Sequence, residues 1–312
     1  MNAATMADGI FERRISYPDF AARDRLGRLV GLDDQISRLT KILSLLVNPS
    51  GLEAWARKHH PQMKGLLTTV LRRPPLVVLA GDVGSGKTEL AETIGDAVAR
   101  QEDIEITLFP LSLSARGQGR VGEMTQLLTS AFDFTISEAS KLKGAGRARG
   151  GVILLVDEAD ALAQSRENAQ MHHEDRAGVN AFIRGIDRIA NAALPAAVIM
   201  CTNRLSALDP AVKRRAADIL SFGRPNDEQR RALLSGALSE LAFSATDIEK
   251  LVAATGPRRD QPFGFTFSDI MQRLLPSIVL DAYPASAVRP ARAVEIASKT
   301  LATPPFQDGA AS

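Results

Sequence analysis

The chain has one cysteine in 312 residues, Cys201, which excludes an internal disulfide framework and fits a reducing compartment. It has almost no excess charge: 38 Lys and Arg stand against 36 Asp and Glu, a net +2 that gives no global electrostatic case for nucleic acid or a membrane surface. Its apolar runs fall far short of the ~20 residues that a membrane-spanning helix needs. The opening MNAATMADGIFERR has charges but no apolar stretch after them, so it does not read as a signal peptide. No internal repeat is present. These absences predict a cytoplasmic protein. What remains is ordinary for a globular chain with a sizeable core, 45% apolar and 24% charged, long enough for one large domain and a smaller one.

Short apolar segments set the strands. PLVVLAG (75–81), IEITLFPLS (104–112), GVILLVD (151–157), AAVIMCT (196–202) and DILSF (218–222) are too short for core helices and rich in β-branched residues. Helical periodicity fills 87–100, 121–142, 174–190 and a short stretch near 209–216. It also precedes the strands, where Ile36, Leu39, Ile42, Leu43 and Leu46 recur after Asp33-Asp34. Strands alternating with helices predict an α/β fold, a parallel sheet with helices on both faces. From Asp227 onward the pattern is helical only: DEQRRALLSGAL, ATDIEKLVAAT and SDIMQRLLPSIVLDAY predict three helices, with a fourth at 290–302. The expected organisation is an N-terminal arm over 1–28, a large αβα domain over 29–226 and a small helical domain over 227–312. The stretch with Trp55 and His59-His60 reads as less regular, and the glycine-rich, basic KLKGAGRARGG (141–151) as a solvated surface loop.

GDVGSGKT (81–88) fits G-x-x-x-x-G-K-[ST] in full, after a strand and opening a helix. Gly81, Gly84 and Gly86 let backbone N–H groups curl around phosphate oxygens, and the helix N-terminus adds positive potential. Lys87 reaches the β- and γ-phosphates and Thr88 holds Mg²⁺. Asp82, Val83, Ser85 and Glu89 complete the expected ATP-binding set. In VILLVDEAD (152–160) an apolar strand delivers Asp157 to its C-terminal edge, to hold Mg²⁺ through water. Glu158 is placed to accept a proton from an attacking water. Asp160 reads as a helix-start or surface carboxylate. At the end of VIMCTNR (198–204), Asn203 is expected to position that water and sense the γ-phosphate. The DEAD string also occurs in RNA helicases, but nothing after residue 226 reads as the second sheet domain those carry.

GLDDQISRL, GDVGSGKT, VILLVDEAD, CTN, LDPAVKRR and the helical C-terminal part together resemble an AAA+ ATPase over roughly residues 28–285. The resemblance implies a homohexameric ring in which an arginine pair before the fifth strand projects into the neighbour's nucleotide site. Arg215, with Arg214 beside it, would there stabilise transition-state charge. HEDRAGVNAFIRGIDRI, RRAADILSFGRP and RLLPSIVLDAY are similar to the pachytene-checkpoint type, which remodels HORMA-domain proteins. Bacterial relatives lack the eukaryotic adaptor-binding domain and occur in anti-phage cyclic-oligonucleotide (CBASS) operons. There they dismantle an activated HORMA partner and so restrain a nucleotidyltransferase. This chain begins almost at the ATPase core, which fits that form. The implied client is a HORMA-domain protein in association with a nucleotidyltransferase. The second reading is an AAA+ motor or loader with another protein or nucleic-acid client, weakened by the near-zero net charge and the lack of an appended DNA-binding helix pair. The third, a non-motor switch, is disfavoured by the full Asp157-Glu158 pair.

Two departures from the family stand out. Where the first pore loop carries an aromatic residue, GQGRVGEM (117–124) puts Arg120 and Val121, so grip falls to Val121 and the arginine stem. Ile270 stands where the subgroup often has a lid arginine, leaving Arg273 one turn on as the residue to meet the nucleotide. His172-His173 beside Glu174 and Asp175 reads as a polar loop, because adjacent histidines rarely share one ion. Cys201, in a buried strand, is expected to be inert core.

Overall fold

The structure, a computed structural model, describes residues 9–113, 122–144, 146–162, 173–259 and 261–305, the side chains of 161–162 and 173–176 excepted. The pore-loop residues Arg120 and Val121, and His172 with the side chain of His173, lie outside the described residues. The chain divides into two compact units. One takes in residues up to Arg28, Asp34–Ala80 and Thr88–Ser221; the other takes in Leu29–Asp33, Gly81–Lys87 and everything from Phe222.

The first unit is built on a six-stranded sheet. Its strands are β1 (Ile15–Tyr17), β2 (Leu76–Gly81), β3 (Glu105–Ser112), β4 (Gly150–Asp157), β5 (Ala196–Thr202) and β6 (Ala216–Phe222), in the order β1-β3-β4-β5-β2-β6. β3, β4, β5 and β2 run parallel to one another in that order, and every residue of β5 is buried. A strand covered on both faces reads as a continuous apolar run, which is why these segments were visible in the sequence. The segment expected to be an arm instead carries β1, paired antiparallel to β3, and α1 (Phe20–Gly27). Three residues are too few to show a period, and the arm's fixed position comes from tertiary bonds. Arg25 makes a bidentate ion pair with Glu89 at 2.7 and 2.8 Å, the Tyr17 hydroxyl donates to the Glu92 carbonyl, and Asp19 N–H donates to Asp96 at 2.8 Å.

α2 (Asp33–Val47) matches its apolar periodicity, while the stretch read as less regular forms α3 (Pro49–His59) and α4 (Gly65–Leu71). α5 (Lys87–Glu102), α6 (Glu123–Leu142) and α7 (His173–Ala192) cover the sheet. Phe132 of α6 meets Phe182 of α7 edge-on, ring centroids 5.6 Å apart, inside the main core. The basic loop after α6 is not simply solvated. Arg147 donates to the Glu102 and Asp103 carbonyls, Lys143 to Ala192 O at 2.8 Å, and Arg149 to Lys141 O at 2.6 Å. Its cations thus satisfy carbonyls left open at the C-terminal ends of α5, α7 and α6.

The second unit has its own core. Leu234, Leu251, Phe265, Ile270, Leu274 and Ala297 lie at its centre, with Val30 packed against it. Its helices are α9 (Asp227–Ala237), α10 (Ala245–Thr255), α11 (Leu275–Ala282) and α12 (Pro290–Lys299), following the short α8 (Pro210–Lys213) of the first unit. Capping boxes start α9 (Asn226 with Gln229) and α10 (Ser244 with Asp247). The third expected helix is not uniform: Asp269–Leu274 is a π-turn, in which Leu275 N–H reaches back five residues to Ile270 O. Pro276 explains it. A proline has no N–H and crowds the carbonyl four residues back, and a widened turn accommodates that loss. No helix among the described residues is long and apolar enough to cross a membrane.

Candidate functional site

In the first unit, the register sets neighbouring strand ends level. Ser112 pairs with Asp157 across β3 and β4, Val156 with Met200 across β4 and β5, and Thr202 with Ala80 across β5 and β2. The C-terminal edge of the sheet therefore collects Ser112, Asp157, Glu158, Thr202 and Asn203, and β2 runs on directly into Gly81. Such an edge is the usual ligand position in open α/β sheets.

Each acidic residue there has defined contacts. Asp157 ends β4, half buried, and its Oδ1 accepts the Glu158 N–H at 2.7 Å. Glu158 holds φ +52°, a left-handed conformation that costs a non-glycine residue about 1–2 kcal/mol. That turn aims its exposed side chain off the strand end, where Ser112 Oγ donates to Oε2 at 2.8 Å. Strain retained beside a general-base candidate is the kind that surrounding structure sustains for function. Asp160, read from sequence as a helix-start or surface carboxylate, stands in the first turn of the short 3₁₀ helix Ala159–Leu162, and its side chain turns inward. It accepts from Thr202 Oγ1 at 2.7 Å, from Asn203 N at 2.9 Å and from Asn203 Nδ2 at 2.9 Å. Glu89, in the first turn of α5, is held by Arg25, whereas Thr88 beside it is exposed.

The arginine pair has an asymmetry that the sequence did not show. Asp209 caps α8 by accepting from Ala211 N at 2.7 Å, Arg214 is its C-cap residue and Arg215 follows. Arg215 forms a bidentate pair with Asp187 of α7, at 2.8 and 3.0 Å. Arg214 is exposed, and its side chain has no partner among the described residues.

In the second unit, Gly81–Lys87 forms a closed loop. Lys87 is 6% exposed, and its ammonium donates to Gly81 O at 2.9 Å and Asp82 O at 2.7 Å, so the charge already sits at the loop's centre. Gly84 and Gly86 have φ of +70° and +93°. A Cβ on Gly84 would come within 2.8 Å of Ser268 Cβ and 2.9 Å of Thr266 Oγ1, so both backbone shape and neighbours require glycine. Ser85 Oγ donates to Asp82 O at 2.7 Å, and Val83 is exposed at the tip. Asp82, one of the expected ATP-binding set, has its carboxylate engaged by Arg224, whose Nε donates to Oδ2 at 2.7 Å. Arg224 also donates to Gly264 O at 2.6 Å and lies 4.9 Å over the Phe263 ring. Nothing in the string GRPN marked it. Arg273 donates to Asp269 at 2.8 Å and to Thr303 at 3.2 Å, so its guanidinium is engaged by its own helix and the C-terminal segment.

The glycine cradle with its central ammonium fits the phosphates of a nucleoside triphosphate, and, in the first unit, the strand-end Asp-Glu pair is of the kind that serves a metal and a water. The family model for "ATPase family associated with various cellular activities (AAA)" matches residues 77–224. CD-NTase-associated protein 6 of Escherichia coli (strain MS 115-1) is 68% identical over 309 residues, 99% of each chain. The chain belongs to the CD-NTase-associated protein 6 family of AAA ATPases. Among solved structures, one chain of a HORMA:CdnC:Trip13 complex from E. coli MS115-1 superposes with a TM-score of 0.89 at 67% identity, covering 96% of this chain and 99% of that one. Trip13 from Rhizobiales gives 0.75 at 58% identity, covering 95% and 100%. The AAA ATPase fold and nucleotide binding expected from the sequence are thereby established. The family match also accounts for the helicase-like string DEAD, which here ends an AAA strand.

Proposed function

We propose that this chain is an ATP-driven protein remodeller. It acts in the cytoplasm as a homohexamer on a HORMA-domain partner bound to a nucleotidyltransferase, and by dismantling that complex it restrains an anti-phage signalling system. The observation that carries the reading is the 67% identity to a chain solved together with HORMA and CdnC. In this reading residues 29–226 are the nucleotide-binding domain and 227–312 its lid.

Bound ATP and Mg²⁺ supply the phosphoryl group and the charge that activates it. Gly81, Gly84 and Gly86 shape the cradle, Lys87 would offer its ammonium to the phosphates, and Thr88 and, through water, Asp157 would hold the metal. Glu158 takes the proton from the attacking water, and Asn203 fixes that water's position. Arg214 and Arg215 serve the neighbouring copy: Arg215 is anchored by Asp187 and Arg214 projects beside it. Arg120 and Val121 are assigned to the central channel. Arg273 and Glu89 act through their partners Asp269 and Arg25.

The test is reconstitution. The purified chain is mixed with a preformed HORMA–nucleotidyltransferase complex and ATP, and dissociation is followed by size-exclusion chromatography. Wild type is expected to separate the complex and Glu158→Gln to leave it intact. An intact complex under continuing wild-type ATP turnover refutes the HORMA reading and points to another client.

A further inference from the structure

Among the described residues, Asp160 is the carboxylate at the sheet edge that the reading above leaves unused. Its bonds are directional in a way that bears on Asn203. Thr202 is 1% exposed, and its hydroxyl donates to Asp160 Oδ1 while accepting the Arg204 N–H at 3.0 Å. The Asn203 N–H also donates to Oδ1, and Asn203 Nδ2 donates to Oδ2. Among the described residues, the three groups bonded to Asp160 are all donors, and an ionised carboxylate is acceptor-only. The Asn203 amide therefore has one stable orientation, with NH₂ towards Asp160 and Oδ1 turned away. The residue's remaining acceptor is thus presented outward.

We infer that Asp160 is a positioning residue for ATP hydrolysis. By holding Asn203 NH₂, it fixes Oδ1 as the acceptor that orients the attacking water towards Glu158. A water held by an acceptor at Asn203 keeps one hydrogen occupied and directs the other to the Glu158 carboxylate. A flipped amide would offer a donor instead and turn the water's lone pair away from the phosphorus. This inference rests on the assignment of Asn203 to the water.

Asp160→Asn separates orientation from fold. The new amide oxygen can still accept from Thr202 Oγ1 and Asn203 N, but its NH₂ then faces Asn203 NH₂. Two donors cannot bond, so the Asn203 amide flips. The variant is expected to retain its thermal midpoint and its affinity for a fluorescent ATP analogue, with KM for ATP near wild type. Its kcat is expected to fall about tenfold or more, the scale for losing one preorganised polar contact. Asp160→Glu, which keeps an acceptor-only group, should recover part of that rate.

The deciding measurement is a double-mutant cycle. In an Asn203→Ala background, where no amide is left to orient, Asp160→Asn should lower kcat no further. The same fold-loss in both backgrounds would show that Asp160 acts only by tying β4 to β5 and would overturn the inference. If Asn203→Ala alone turns over at the wild-type rate, the assignment of Asn203 itself fails, a distinct result. Should Asp160→Asn have wild-type kcat while Asn203→Ala is slow, only the orienting role is refuted.

Discussion

Arg214→Ala and Arg215→Ala test whether catalytic charge is borrowed between copies. The Arg215–Asp187 pair is bidentate, but its side chains are 33% and 45% exposed. A pair that open to solvent contributes about 0.5–1 kcal/mol to stability. Arg215→Ala should then lower the melting midpoint by only about 1–4 °C. Arg214 has no side-chain partner among the described residues, so Arg214→Ala should leave the midpoint unchanged. An arginine that meets the transferring phosphoryl group is worth about 10³ or more in rate, roughly 4 kcal/mol of barrier. Destabilisation of 1 kcal/mol cannot mimic that, because a domain with about 5–15 kcal/mol of stability stays folded. Both variants are expected to bind nucleotide normally and hydrolyse poorly. The assay that assigns the site is mixing. Lys87→Ala subunits lack the central ammonium but keep both arginines, while Arg214→Ala subunits have the reverse. Where the first lends its arginine to the second, a working site is rebuilt, and the mixture should recover part of its ATPase activity. A mixture that stays inactive, although native mass spectrometry shows mixed rings, refutes the borrowed charge.

Three further outcomes follow from the geometry. Glu158→Gln should bind ATP but not turn it over, retaining unhydrolysed nucleotide through gel filtration; wild-type turnover would remove Glu158 from the reaction. Gly84→Ala puts a side chain at φ +70° and within 2.8 Å of Ser268, so nucleotide affinity by fluorescence titration should fall while the protein remains folded. Asp269 is 1% exposed and accepts from Thr266 N, Thr303 N, Thr303 Oγ1 and Arg273. Burial pushes its carboxyl pKa up, but the bonds from Thr303 and Thr266 outweigh it and hold it below the ordinary value. A depressed folded pKa contributes stability above the unfolded value, about 3.9, and that contribution is lost as pH falls through the folded one. Asp269→Ala should cost about 2–4 kcal/mol near neutrality by orphaning buried donors. The gap from wild type should narrow in acid-denaturation curves below about pH 4, and a gap independent of pH would contradict the assignment.

The sequence by itself determined the sheet and the phosphate loop. β2, β4 and β5 are buried on both faces, so their runs are apolar without interruption, and GDVGSGKT needs its glycines whatever surrounds it. Helix boundaries in the second unit were legible because capping boxes at Asn226 and Ser244 are local chemistry. The family entered through the resemblance of those motifs to known AAA+ ATPases. The tertiary structure alone decided the partners of charged side chains, because hydrogen bonds between residues far apart in the chain leave no local pattern. It set Arg25 on Glu89, Arg224 on Asp82, Arg215 on Asp187 and Asp160 on Asn203. It also made β1 a strand, since three residues acquire extended pairing only from β3 beside them. The π-turn before Pro276 lies between these cases: the proline was visible, but the choice between breaking the helix and widening it was made by the packing of Ile270 and Leu274 into the second core.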